Sequence, residues 1–215
     1  MERYLKIAKV NWKFNLFPHV IVAFMICLIS PLIMGVENLN YLQTAKILDV
    51  YISLLGLILL VPLFIPDEDE NILDLVKSKK ESMAVIHIIR LLESILFLTI
   101  FILGFLFYLK TKSCNFPFTE YFYGTMANCI FIGGLGILIY SIFNNLAVAY
   151  MVPMLYYIMC YGAGKKYLGK LYLFSMMRGN IEDKKYLLIS GIAMITVGIM
   201  LRNIKIQLLN KSLKN

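Results

Sequence analysis

The stretch FYGTMANCIFIGGLGILIYSIFNNLAVAYMVPMLYYIMCYGAG, Phe122 to Gly164, carries no Asp, Glu, Lys or Arg. A helix needs about 20 apolar residues to cross roughly 30 Å of hydrocarbon. The tract is therefore too long for a single crossing. The pair Asn144–Asn145 divides it, and it reads as two spans joined by a tight helical hairpin. In hydrocarbon each backbone polar group must be satisfied within its own segment, so the spans are helices.

The same reading extends outward along the chain. Mean hydropathy is +0.76, with 60% hydrophobic and 16% charged residues. A soluble domain of this length exposes far more charge. Six spans follow: Phe17–Val36, Ile47–Ile65, Ala84–Tyr108, Phe122–Phe143, Leu146–Gly164 and Tyr186–Leu201. The last is short, and can start earlier or continue past Arg202. The expectation is an all-α polytopic membrane protein, residues 1–215 forming one transmembrane domain.

Lys and Arg in short loops set orientation. With the N-terminus in the cytoplasm, the inner segments hold Arg3, Lys6, Lys9, Lys13, Lys77, Lys79, Lys80, Arg202, Lys205, Lys211 and Lys214. The outer segments hold Lys46, Lys110, Lys112, Lys165, Lys166, Lys170, Arg178, Lys184 and Lys185. The first half obeys the rule, and the loop before the last span goes against it: either the loop is a real exception, or the second half holds one span more or fewer. The reading is a bacterial plasma-membrane protein with both termini cytoplasmic. The net charge of +8 has no basic soluble domain to carry it, so it points to anionic lipid heads and not to nucleic acid. The first apolar stretch is longer than a signal core, and no small-x-small site follows Met34, so it reads as a retained helix. Cys27, Cys114, Cys129 and Cys160 show no metal or redox spacing, so neither a disulfide framework nor a metal site is expected.

Residues 3–16 form an amphipathic pattern. At 100° per residue Leu5, Ile7, Ala8, Trp12 and Leu16 share one face, while Arg3, Lys6, Lys9 and Lys13 share the other. That is the signature of a helix lying in the inner interface; it also serves as a plain anchor for the first span.

The loop between spans two and three, residues 66–83, begins PDEDENILDLVKSKKES at Pro66. Acids follow the proline and lysines close the run, as a helix dipole favours. Between them Ile72, Leu73, Leu75 and Val76 make a small apolar face on the cytoplasmic side. Such a patch marks a contact with a partner or packs back on its own spans. In span three His87, Arg90 and Glu93 recur at spacings of three, so they share a face. An ionisable residue in a span normally faces protein or water, and Glu93 can pair with Arg90 at i, i+3. The face reads as an interface-anchored ion pair, or as a polar link to the loop or a partner chain.

Gly133, Gly134 and Gly136 permit close backbone approach, either within the chain or across a dimer. Pro31, Pro62 and Pro153 each free a carbonyl and can bend a helix. Residues 165–185 hold the run Tyr167–Met177, too apolar for a solvated loop, which reads as an outer re-entrant or surface-lying helix. Gly162-Ala163-Gly164-Lys165-Lys166 imitates a phosphate loop but lacks the first glycine and the Ser or Thr after the lysine. No nucleotide site is encoded, and any ATP hydrolysis comes from another chain.

Taken together these pieces resemble the membrane subunit of ABC-2-type ABC transporters. In that family a basic amphipathic helix precedes span one, as Arg3–Leu16 does here. A cytoplasmic coupling helix between spans two and three docks on the ATPase, matched by Asp67–Lys80, and a basic residue often opens span three, matched by Arg90. Short re-entrant helices precede span six, matched by Tyr167–Met177. The resemblance covers nearly the whole chain by layout and is specific only around residues 66–90. It implies a permease subunit without a nucleotide site of its own. Two permease chains, identical or paralogous, would form the path, and cytoplasmic ATPase subunits would hold ATP and Mg. Asp67, Glu68, Ile72, Leu73, Leu75, Val76 and Lys77 would couple to the ATPase. Small members resemble exporters of, or immunity proteins against, antimicrobial peptides. Two other classes stay open to the sequence: a membrane sensor or scaffold without transport, and an intramembrane peptide-processing enzyme using His87 or Glu93.

Overall fold

The computed structural model describes residues 2–67 and 83–212, and every regular element among them is helical. In order these are α1 (Glu2–Asn11), a π turn (Trp12–Leu16), α2 (Phe17–Met34), α3 (Tyr41–Val50), a 3-10 turn (Ile52–Leu54), α4 (Leu55–Leu60) and a longer 3-10 turn (Val61–Asp67). After the undescribed segment come α5 (Met83–Thr111), α6 (Phe118–Phe143), α7 (Leu146–Ala163), the single turn α8 (Lys165–Leu168), two 3-10 turns (Gly169–Leu171 and Leu173–Arg178) and α9 (Lys184–Ser212).

Among the described residues five helical stretches are long and apolar enough to cross a membrane: Ile7–Met34, Tyr41–Asp67, Met83–Thr111, Phe118–Phe143 and Lys184–Ile206. Leu146–Gly162 is apolar but shorter. The fifth of the six expected spans thus corresponds to a helix below the length of the other five. The last helix starts at Lys184, two residues before the expected Tyr186, and continues past Arg202. Residues 3–16 and the first span are not separated by a loop, because α1 passes into α2 through the π turn. The expected re-entrant segment is a string of short turns, with Leu173, Phe174, Ser175 and Met176 buried against the rest of the protein.

Burial divides the helices into a centre and a rim. In Tyr41–Asp67, 78% of the most apolar window is buried within the protein, and in Phe118–Phe143, 67%. In Ile7–Met34 the share is 17%. Leu32, Phe24 and Leu28 of α2 accordingly stand exposed, a surface too apolar for water and suited to acyl chains.

The central helices touch backbone to backbone. A Cβ on Gly56 of α4 would lie 2.0 Å from the carbonyl oxygen of Cys129 in α6, and one on Gly134 would lie 2.6 Å from that of Gly191 in α9. Gly133 faces Leu60 and Gly56, and Gly136 faces Val61 and Ala149. These three α6 glycines therefore serve packing within the chain, where small residues let helices approach without a hydrophobic driving force.

The α6–α7 hairpin falls at Asn144–Asn145, for two local reasons. Asn144 takes the left-handed conformation (φ 52°) and its N–H returns to the Tyr140 carbonyl at 2.7 Å, a helix stop that Asn tolerates. The Asn145 side chain accepts from the Val148 N–H at 3.2 Å, an N-cap for α7.

Candidate functional site

Both roots of the undescribed segment meet at one polar cluster. Pro66 has no N–H, so in the 3-10 turn it leaves the Leu63 carbonyl, three residues back, without its helical donor. Arg90 Nη1 donates to that carbonyl at 3.4 Å, and Asn15 Nδ2 donates to the neighbouring Pro62 carbonyl at 3.2 Å. Asp67 follows at once. Its Oδ1 accepts from Arg90 Nη1 at 2.7 Å, and its Oδ2 lies 2.7 Å from His87 Nε2. His87 is fully buried, and Asp67 and Arg90 nearly so. A buried carboxylate is tolerated only when paired and hydrogen-bonded, and here an imidazole and a guanidinium on successive turns of α5 supply both. The span before the segment is thus tied to the span after it.

The N-terminal helix is attached to the same place. Asn11 Nδ2 donates to Glu93 Oε2 at 2.7 Å, and Asn15 Nδ2 to Asn11 Oδ1 at 3.2 Å. Trp12 stacks on Phe97 with ring centroids 4.4 Å apart. Trp12 and Leu16 face the protein while Lys9 and Lys13 face outward, as the amphipathic pattern requires. Arg3 and Lys6 belong to the same helix. On the other side, Phe64 sits edge-on to His87 at 4.9 Å and stacked with Tyr140 at 5.5 Å. The Arg202 guanidinium lies over both Phe64 and Tyr140 and hydrogen-bonds to Asn144. Lys205 donates to the carbonyls of Ser141 and Ile142, each at 2.6 Å, placing positive charge where the α6 dipole is negative.

The sequence groups His87, Arg90 and Glu93 on one face, and the structure divides their work. Arg90 pairs with Asp67 instead of with Glu93, because Asp67 is presented across the helix pair while Glu93 is held by Asn11. His87 and Glu93 thus engage different partners. Of the candidate coupling residues, Asp67 is the anchor just described. Glu68, Ile72, Leu73, Leu75, Val76 and Lys77 lie outside the described residues.

A second polar cluster was not anticipated from the sequence. At the opposite end of the stretch Tyr41–Asp67, Asp49 is fully buried, and so is Lys184 at the start of α9. Lys184 Nζ donates to Asp49 Oδ1 and to Asn128 Oδ1, each at 2.8 Å, and to the Leu173 carbonyl. Asn128 Nδ2 donates to Asp49 Oδ1 at 2.9 Å, and the Met177 N–H to Asp49 Oδ2 at 3.0 Å. All three ammonium donors are used. The network clasps the turns at 173–177 to three helices, and Gly124 makes room for the Met176 side chain. One signal was available: Asp49 is the only charged residue in Ile47–Ile65, and a lone carboxylate in a span demands a partner.

Comparison with protein-family models, with curated proteins and with solved structures returned no match for this chain.

Proposed function

We propose that the chain is the permease subunit of an ATP-driven exporter of the ABC-2 kind. The observation that carries the reading is the anchor at the roots of residues 68–82. Asp67, His87 and Arg90 bind the end of one span to the start of the next, and Asn11 with Glu93 binds the N-terminal helix to the same turn. Held that way, the end of one span and the start of the next are tied together. In this reading it is the coupling helix, with Ile72, Leu73, Leu75 and Val76 docking on a cytoplasmic ATPase that supplies ATP and Mg. Leu146–Gly162 is the fifth of six spans, the turns at 165–178 form the outer re-entrant element, and both termini are cytoplasmic. A second permease chain, identical or paralogous, completes the path. Peptide export or immunity is the favoured task.

The test is affinity purification from the native membrane in mild detergent. A stoichiometric P-loop ATPase that is lost with Leu73→Asp/Leu75→Asp, in a protein that keeps its thermal melt, supports the reading. A stable chain with no ATPase partner removes it and moves the sensor or scaffold class to the front.

A further inference from the structure

The segment before the last helix and that helix's first turn gather Lys165, Lys166, Lys170, Arg178, Lys184 and Lys185, the group that opposed the charge count for orientation. Internal partners account for three of them. Lys184 pairs with Asp49, Lys165 lies 2.7 Å from Asp183, and the Arg178 guanidinium packs on the Tyr172 ring at 4.9 Å. Lys166, Lys170 and Lys185 are exposed, and among the described residues none has a carboxylate within ion-pair distance.

Two of these three lie near the same aromatic ring. The ammonium of Lys170 lies 4.6 Å from the centre of the Tyr186 ring and that of Lys185 lies 5.8 Å from it. Lys170 Nζ also donates to Tyr186 Oη at 3.3 Å, which leaves the phenolic O–H free to donate outward. Two like charges gathered at one ring repel each other unless an anion joins them. Two ammonium groups and a hydroxyl donor match the oxygens of a phosphate.

The position fixes the source of that phosphate. Lys185, Ile189 and Ile192 follow at i, i+4 and i+7 on α9, so they share one face. Ile189 is 65% exposed and Ile192 49%, an apolar stripe that hydrocarbon covers. The lysine heads that stripe, at the edge where lipid phosphates lie and where tyrosines gather. We propose that Lys170, Lys185 and the Tyr186 hydroxyl bind the phosphate of an anionic phospholipid. The site rests on the membrane-spanning architecture and is independent of the permease reading.

The full-length protein in detergent is titrated with phosphatidylglycerol and with phosphatidylcholine, and bound lipid is counted by native mass spectrometry. Phosphatidylglycerol is expected to bind preferentially. K170Q/K185Q should weaken it by about 25-fold, at roughly fivefold per lysine near the membrane surface, and Y186F should weaken it by a smaller factor. These side chains are exposed, so the variants should melt like the parent. K46Q/K166Q removes two other exposed lysines and should leave the lipid in place. Unchanged binding in K170Q/K185Q overturns the proposal, as does an equal loss in K46Q/K166Q. Displacement of the lipid by inorganic phosphate at equal concentration also overturns it, since the site would then hold a free anion.

Discussion

Replacing Lys184 with Met tests whether the outer turns are held by the buried ion pair. The substitution keeps an unbranched chain of similar length and removes the ammonium. Asp49 then loses the cation paired with it, while Asn128 and the Met177 N–H still donate to it. The Leu173 carbonyl and Asn128 Oδ1 lose a donor. Removing one partner of a buried pair costs about 3–5 kcal/mol, because the other charge stays buried without compensation. For a chain of this length about 2–4 °C accompanies each kcal/mol, so the melt in detergent should fall by roughly 6–20 °C. Asp49→Asn added to Lys184→Met removes the stranded charge. What remains is the donor lost by the Leu173 carbonyl and by Asn128 Oδ1, a loss the single variant shares, so without the stranded charge the double variant should melt above the single one. Ser175, buried within the clasped turns, supplies a second readout. In Ser175→Cys the thiol should resist a membrane-impermeant maleimide, and adding Lys184→Met should make it react. A single variant melting within about 2 °C of the parent, or a double variant no better than the single, would refute this account of the turns.

Other substitutions probe the packing and the anchor. Gly56→Ala places a methyl 2.0 Å from the Cys129 carbonyl oxygen and should cost at least the 1–3 kcal/mol typical of overpacking, whereas Gly104→Ala, with nothing within 4 Å, should melt like the parent. Asp67→Asn leaves Arg90 buried without a carboxylate; a loss of about 3–5 kcal/mol is expected, with faster tryptic cleavage after Lys77, Lys79 and Lys80 as the local sign. Asn144→Val forces a β-branched residue into the left-handed region and should cost about 1–2 kcal/mol or more, while Asn144→Gly should cost less because it loses only the Arg202 contact; thermal melts in detergent decide both.

Periodicity and apolar length made the helices legible, and the hairpin at Asn144–Asn145 was visible as a polar break in an unbroken apolar tract. Helix ends were harder to read. Lys184 looks like a loop lysine in sequence, yet its charge is cancelled by a residue 135 positions away, a pairing that local pattern does not encode. Arg90 illustrates the same limit. Its i, i+3 neighbour Glu93 is the partner that helix geometry suggests, but Pro66 leaves a carbonyl and Asp67 a carboxylate facing it from another helix, and tertiary placement decides. The glycines of α6 were legible as a contact surface. Which surface they meet depended on Gly56 and Gly191 standing opposite, far along the chain.

The two clusters acquire a common logic from their spacing. Asp49 and Asp67 are the only charged residues in Tyr41–Asp67 apart from Lys46. Eighteen steps separate them, at 1.5 Å per residue in α-helix and about 2.0 Å in the 3-10 turns, giving a distance of roughly 30 Å. That is the thickness of the hydrocarbon. If the stretch runs straight across the layer, each acid lies near the level where it gives way to head groups, and each is shielded by protein and not by water. Between them the most buried stretch of the fold is apolar and broken only by 3-10 turns. At one end the carboxylate fastens the roots of residues 68–82, and at the other it fastens the turns at 173–177. A displacement applied at the first end would have a single packed stretch, ion-paired at both ends, through which to reach the second. Variants at Asp67 and at Lys184 should then be non-additive in thermal stability although the sites are far apart. Additivity within about 0.5 kcal/mol, the norm for distant independent sites, would show that the two ends act separately.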